Sequence, residues 1–255
     1  MCIIFLWIPS QTERSAHRVI LASNRDEYVD RATARAAAWA DAPWVFGGRD
    51  LVAGGSWLGV SDGGRWAALT NVRGKGEEAA ARSRGSLVAE FLKARGLAAR
   101  EAARNIDGVG PFNAIFGDGK EVWYVSRGER RLVSPGFHCL SNAALDTPWP
   151  KAERGLRAFR HVVETTADDK TLARAVLDDV LGDATPVGLA TGTGCEASIE
   201  KHYAYVHVPL FRLGAGDYGT RTSTVVLLRT DGSVSYVERD LDPATRTWSE
   251  AAHAL

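Results

Sequence analysis

Three Asp-Gly pairs, each set between two short apolar runs, constrain this chain more than any other feature. Asp-Gly supplies the positive-φ residues that a tight hairpin turn requires. Residues 57–60 return through Asp62-Gly63-Gly64 to 66–69, residues 113–116 through Asp118-Gly119 to 122–125, and residues 224–228 through Asp231-Gly232 to 234–237. Each pair of runs predicts an antiparallel hairpin. Helical spacing lies between them: Leu87, Val88, Phe91 and Leu92 after a cap at Ser86, stopping at Gly96; Ala152, Leu156, Phe159 and Val163 after Pro150; Leu172, Val176, Leu177, Val180 and Leu181 up to Gly182. Antiparallel strands at both ends, with helices segregated between them, predict an α+β layered fold in which the terminal strands share sheets.

With 45% hydrophobic and 24% charged residues among 255, the chain has material for a substantial core and is expected to form one domain over residues 1–255. Its 31 basic residues balance 31 acidic ones, so no global field draws it to nucleic acid or to an anionic membrane. Cys2, Cys139 and Cys195 are an odd number without CxxC spacing. That argues against a disulfide framework or a zinc site and for a reducing, cytoplasmic setting. The apolar run at 2–8 lacks a basic leader and a small-residue cleavage site, so a signal peptide is not expected. It is far shorter than the roughly 20 residues of a membrane helix and reads as a buried strand beginning at the second residue.

A second strand at 19–23 runs directly into Asn24-Arg25-Asp26-Glu27, so the chain opens as a hairpin with its loop centred near residues 13 and 14. Opposed residue numbers in such a hairpin sum to about 27 or 28, which places Cys2 beside Arg25 and Asp26, with opposed Cβ atoms roughly 5 Å apart. Side chains alternate along a strand, so Asn24 and Asp26 share one face and Arg25 and Glu27 the other. Only one of these pairs can face Cys2.

Cysteine is small enough for methionine aminopeptidase to remove Met1, and Cys2 would then carry both a thiol and a free amine. Their reference pKa values, about 8.5 and about 8, let the amine accept the thiol proton at little cost. A developing ammonium calls for a carboxylate, for which Asp26 is the candidate, and a tetrahedral oxyanion calls for hydrogen-bond donors. Asn71 and Asn142 each end an apolar run, where asparagine is ordinarily a turn residue. Arg221 enters a strand, where a surface arginine is the ordinary reading.

The start Met1-Cys2, Ser23-Asn24-Arg25-Asp26-Glu27, Gly54-Gly55-Ser56-Trp57-Leu58-Gly59, Leu69-Thr70-Asn71, Arg82-Ser83-Arg84-Gly85 and Leu140-Ser141-Asn142 through Pro148-Trp149-Pro150-Lys151 together resemble the NRDE/TANGO2 family. The resemblance covers nearly the whole chain. That family is similar to the choloylglycine hydrolase and penicillin V acylase branch of the N-terminal-nucleophile (Ntn) hydrolases. The resemblance implies a four-layer αββα sandwich with antiparallel sheets, with Cys2 as nucleophile and Asp26 as the carboxylate beside its amine. It puts Asn71 and Asn142 at positions that bind the oxyanion and orient the amine, and Arg221 at the late-strand arginine of the site. The acylases carry an arginine three residues before this aspartate. Here that position is Ser23, and Arg25, pointing to the face opposite Asp26, is not an obvious substitute.

Two functions are expected from the resemblance. One is a hydrolase of a linear amide, or of a thioester, acting through an acyl-Cys2 intermediate and requiring no cofactor. The other is a non-catalytic carrier, because relatives in the family are linked to intracellular haem mobilisation and to acyl-CoA or lipid homeostasis; the same pocket would then hold haem or an acyl ligand. Asn24, Arg25, Arg73 and Arg84 are the candidate ligand-binding residues. The arginines, with Arg82, are of the type that holds a carboxylate or phosphate, solvated surface arginines being the alternative. His138 beside Cys139, and His202 with His207, lack metal-ligand spacing, and Thr191-Gly192-Thr193-Gly194 lacks the third glycine of a dinucleotide loop.

Overall fold

A computed structural model describes residues 2–10, 12–72, 80–95, 97–189, 193 and 196–255. Its strands in chain order are β1 (Ile3–Ile8), β2 (His17–Tyr28), β3 (Thr33–Trp39), β4 (Ala42–Asp50), β5 (Leu58–Ser61), β6 (Arg65–Asn71), β7 (Phe112–Gly117), β8 (Val122–Ser126), β9 (Arg130–Leu132), β10 (Gly136–Leu140), β11 (Phe211–Leu213), β12 (Gly216–Arg229), β13 (Val234–Leu241) and β14 (Trp248–Ala254). The helices are α1 (Arg84–Lys93), α2 (Leu97–Ala102), α3 (Pro150–Thr165), α4 (Asp169–Ala175), which continues as a π-helical segment over Val176–Leu181, and α5 (Ala197–Glu200). The chain forms two compact units, residues 1–30 with 135–255, and residues 31–134. The fold is α+β with two antiparallel sheets, as the hairpin and helix signals predict.

The first unit holds a seven-stranded sheet in the order β10-β1-β2-β12-β13-β14, with β11 added against β12. Strands from the two ends of the chain therefore lie side by side, β2 pairing with β12 along most of their length. Every second residue of the central strands faces the helices. Ile3, Phe5, Ile20, Ala22, Val225 and Leu227 form one buried cluster with Phe159 of α3, Leu172 of α4 and Val176, Leu177 and Val180 of the π segment. Burying each of these side chains other than Ala22 contributes about 1.5–3 kcal/mol. Helix α3 approaches β1 closely because Gly155 has no side chain: a Cβ there would lie 2.2 Å from the Phe5 ring. The Phe5 and Phe159 rings stack at 5.9 Å.

The second unit is a meander, β3 through β9 in chain order, with α1 laid on it. Leu87, Val88, Phe91 and Leu92 bury with Ala67, Leu69 and Phe116. The expected cap at Ser86 is displaced by one turn. Ser83 caps α1 by accepting from the Gly85 N–H at 3.3 Å, and the helix ends at Ala94. Gly85, a poor helix former in the first turn, sits there because the backbones of Gly55 and Gly85 touch: a Cβ on Gly55 would lie 2.4 Å from the Gly85 carbonyl carbon. Ser56 N–H also donates to the Gly85 carbonyl. Two of the family-like motifs are thus one packing joint. Gly96 lies outside the described residues.

All three Asp-Gly hairpins form, and Gly63, Gly64, Gly119 and Gly232 take the left-handed φ that those turns need. Among the described residues no helix is long and apolar enough to cross a membrane.

Candidate functional site

The opening hairpin has the expected register. Ile3 pairs with Asn24 and Ile4 with Ser23, so one step beyond the last ladder pair Cys2 stands opposite Arg25. On its other side β1 pairs with β10, Ile4 opposite Leu140, which continues to Ile3 opposite Ser141 and Cys2 opposite Asn142. Ser141 secures that end: its single hydroxyl proton is shared between the Cys2 carbonyl, 3.0 Å from Oγ, and Asn142 Oδ1, 3.2 Å away. Cys2 is thus the middle residue of three, flanked by Arg25 and Asn142, and all three are buried.

The two faces of β2 have separate tasks. Toward the helices, Asn24 donates from Nδ2 to the carbonyls of Leu181 and Val206 at 2.8 and 2.9 Å and accepts from Ser223 Oγ at 2.7 Å. It is fully buried and fastens the end of the π segment and the loop before β11 to the sheet. These bonds occupy the amide, so Asn24 braces the site. Asp26, on the same face, accepts from Thr220 Oγ1 at 2.6 Å, and its backbone carbonyl accepts from the Tyr218 hydroxyl at 3.0 Å. On the other face are Ser23, Arg25 and Glu27, with Cys2. Arg25 therefore lies on the face that position 23 presents. Residues 23 and 25 are two apart on one strand, so they share the Cys2 face.

Arg221 enters through a β-bulge. Thr222 pairs with Arg25 and Thr220 with Asp26, which makes Arg221 the additional residue of β12 at that point. It is buried, and its guanidinium pKa is lowered by burial first and by the nearby Arg25 charge second, while Asp240, Glu27 and Asp30 oppose the shift.

Burial pushes the Cys2 thiol pKa up. The positive amino terminus, a hydrogen bond from the Asp26 backbone and the Arg25 charge pull it down, and the Asp26 carboxylate raises it further. Burial likewise pushes Asp26 up, against the amino-terminal charge, Lys151, the Thr220 hydrogen bond and His207. A groove of about 510 Å³ runs beside this end of the sheet, lined by Leu177, Gly182, His207, Ser223 and Trp248 and by the ion cluster of Arg174, Asp178, Arg239 and Glu250. His207 stands at 5.6 Å from the Trp248 ring, and burial lowers its pKa.

The first unit thus brings together Cys2, Asp26, Asn142, Arg25 and Arg221. Asn71 belongs to the second unit, exposed at the end of β6 opposite Phe112. Arg84 begins α1 there, donating to the Pro111 carbonyl at 2.8 Å, and Arg82 is held by both Glu90 oxygens at 2.7 and 2.6 Å. Arg73 lies outside the described residues. Of the histidines, His138 binds Asp146 at 2.8 Å and His202 stacks on Phe211 at 4.2 Å. Among the described residues no group of three or more His, Cys, Asp or Glu is arranged to hold a metal.

The family model described as Transport and Golgi organisation 2 matches residues 1–243. The chain belongs to that family. It is 37% identical to the Transport and Golgi organization protein 2 homolog of Bos taurus, over 99% of this chain and 98% of that protein. To the Homo sapiens homolog it is 34% identical, over 94% of this chain and 93% of that one. Among solved structures it is similar in fold to the Caenorhabditis elegans N-acylethanolamine-hydrolyzing acid amidase (NAAA) ortholog, with a TM-score of 0.52 and 12% identity, over 89% of this chain and 92% of that chain. Within this member of the Transport and Golgi organisation 2 family, Ser141, Thr220 and Lys151 lie near Cys2 and Asp26 without having been singled out from the sequence, and His207, set aside as a metal ligand, acts on Asp26. Ser141 and Lys151 stand inside the family-like motifs; Thr220 carries no local signal.

Proposed function

We propose that the chain is a non-catalytic carrier of the transport type for which its relatives are named, holding haem or an acyl ligand at the Cys2 and Asp26 end of the first sheet. The observation that carries this reading is the match, over nearly the whole chain, to proteins named for transport and Golgi organization. Two features of the site support it. Burial holds both Cys2 and Asp26 toward their neutral forms, which suits binding to a weakly polar ligand. The neighbouring groove, at about 510 Å³, has the size of a small-molecule site, and its wall reaches the site through His207 and Ser223. The test is a spectral titration with haem and a calorimetric titration with a long-chain acyl-CoA, on the wild type and on Cys2→Ala. Saturable one-to-one binding of either ligand that Cys2→Ala leaves intact supports the carrier; no binding of either removes it.

A second reading, an N-terminal-cysteine hydrolase of linear amides or thioesters, is favoured by one specific observation: Cys2 stands between Arg25 and Asn142, and Asp26 follows Arg25 on the same strand. On this reading Met1 is removed and the αββα sandwich implied by the resemblance houses the site. The freed amine takes the thiol proton, the sulfur attacks the carbonyl carbon, and donors on Asn142, Arg25 and Arg221 meet the oxyanion. The protonated amine then gives its proton to the leaving group, and water releases the acyl group from Cys2. Intact mass of untagged protein, followed by an amide and thioester screen, tests it. Turnover lost in both Cys2→Ala and Asp26→Asn supports the hydrolase, and turnover that persists in Cys2→Ala eliminates it.

A further inference from the structure

Lys151 is fully buried, with 2% of its surface exposed, at the first turn of α3. Both features work against its charge. A buried ammonium loses hydration, and the N-terminal end of a helix is itself positive. A lysine at such a position needs a carboxylate within reach.

The packing of α3 says where that carboxylate is. Gly155 lies directly on the Phe5 ring, and Phe159, one turn further, stacks on the same ring. Phe159 also meets Phe137, which pairs with Trp7, so α3 runs along β1 in the direction of the strand. Lys151 precedes Gly155 by one turn, about 6 Å along the helix, and two strand residues span about 6.8 Å. Lys151 therefore stands over Ile3, whose ladder partner is Asn24, next but one to Asp26 on the same face. The charges agree with this placement, since Lys151 acts on Asp26 and on Cys139, the partner of Phe5. The other described groups whose charge or hydrogen bonds act on Asp26 are His207 and Thr220, and Asp26 in turn acts on the Cys2 thiol and the Tyr218 hydroxyl.

We propose that Lys151 is a positioning residue of the Cys2 site: it shares the single carboxylate of Asp26 with the α-amine of Cys2 and so keeps that amine unprotonated near neutral pH. Two cations drawing on one buried carboxylate cannot both be held as firmly as one, and the more weakly held amine gives up its proton first. The use of this device rests on the hydrolase reading, because only there must the amine act as a base.

The experiment needs neither turnover nor Met1 processing. The protein is released from a cleavable fusion so that residue 2 is first, in a Cys2→Ser background in which no side-chain thiol competes at the terminus. Trace acetylation with acetic anhydride from pH 5 to 10, read by peptide mass spectrometry, gives the midpoint at which the α-amine titrates. Lys151→Met is expected to raise that midpoint by at least one pH unit, tenfold in the protonation equilibrium, while Lys151→Arg leaves it near the parent value. A folded Lys151→Met protein with a smaller rise overturns the proposal, and so does an equal rise in Lys151→Arg. Should Lys151→Met not fold, the parent midpoint decides: below the ordinary α-amino value of about 7.7 it supports the shared carboxylate, and at or above it the proposal fails. Retained Met1 or absent turnover in the unfused protein counts against the hydrolase reading alone.

Discussion

Thr220 Oγ1 donates to Asp26 Oδ1 at 2.6 Å and accepts the Val208 N–H at 2.8 Å, joining the carboxylate to the segment that crosses it. Even with this bond, burial dominates and the Asp26 pKa lies above its ordinary value. A raised carboxylate pKa means that ionising Asp26 costs stability as pH rises through its folded value. That cost is absent below the unfolded value of about 3.9. The melting temperature of the wild type relative to Asp26→Asn is therefore expected to fall as pH rises from 3–4 to 7, on top of the pH-independent loss of a partner for Lys151. Thermal melts of both proteins across that range check the sign, and a wild type that gains on Asp26→Asn as pH rises contradicts it.

Asn24 closes three hydrogen bonds in a site without water access. Asn24→Ala leaves the Leu181 and Val206 carbonyls and the Ser223 hydroxyl to find other partners and is expected to cost about 3 kcal/mol in urea unfolding. Asn24→Asp should be at least as damaging, since it replaces a donor to two carbonyls with an acceptor. A loss of under about 0.5 kcal/mol for Asn24→Ala would show that this brace is not structural.

Those two outcomes bear on how much of the site was legible in the sequence. The hairpin register followed from the spacing of two apolar runs around their loop, and Cys2 opposite Arg25 followed from the register. What alternation along β2 could not say was which face meets the helices, because that depends on residues more than a hundred positions away. Strands β3 and β14 went unrecognised for a different reason. Thr33–Trp39 and Trp248–Ala254 are rich in alanine, with few of the β-branched residues that mark strands. Lys151 was quoted only as part of a motif, since a lysine one residue into a helix looks solvated until the helix is placed.

Gly155 sets the distance between α3 and β1. Gly155→Ala puts a methyl group into the Phe5 ring and is expected to destabilise the first unit by about 1–3 kcal/mol, despite alanine's better helix propensity. Pairing it with Phe5→Leu should recover part of the loss. Denaturant titration of the two single variants and the double variant measures the coupling.

Cys139 is buried under α3, and its thiol pKa is pushed well up by desolvation, with Asp146 adding to the shift and Lys151 opposing it. Iodoacetamide reacts with thiolate, so in the folded protein at pH 8 Cys139 is expected to stay unmodified and in denaturing urea to react fully. Peptide mass spectrometry follows it directly; labelling of Cys139 in the folded state at the rate of a free thiol would disprove this burial.

The bulge at Arg221 has an unusual genetic consequence. Because Thr220 already pairs with Asp26 and Thr222 with Arg25, excising Arg221 closes β12 into an uninterrupted strand without sliding either neighbour along β2. A single-codon deletion, ordinarily the most disruptive lesion a central strand can suffer, would here remove one guanidinium from the neighbourhood of Cys2 and leave the pairing on both sides in step.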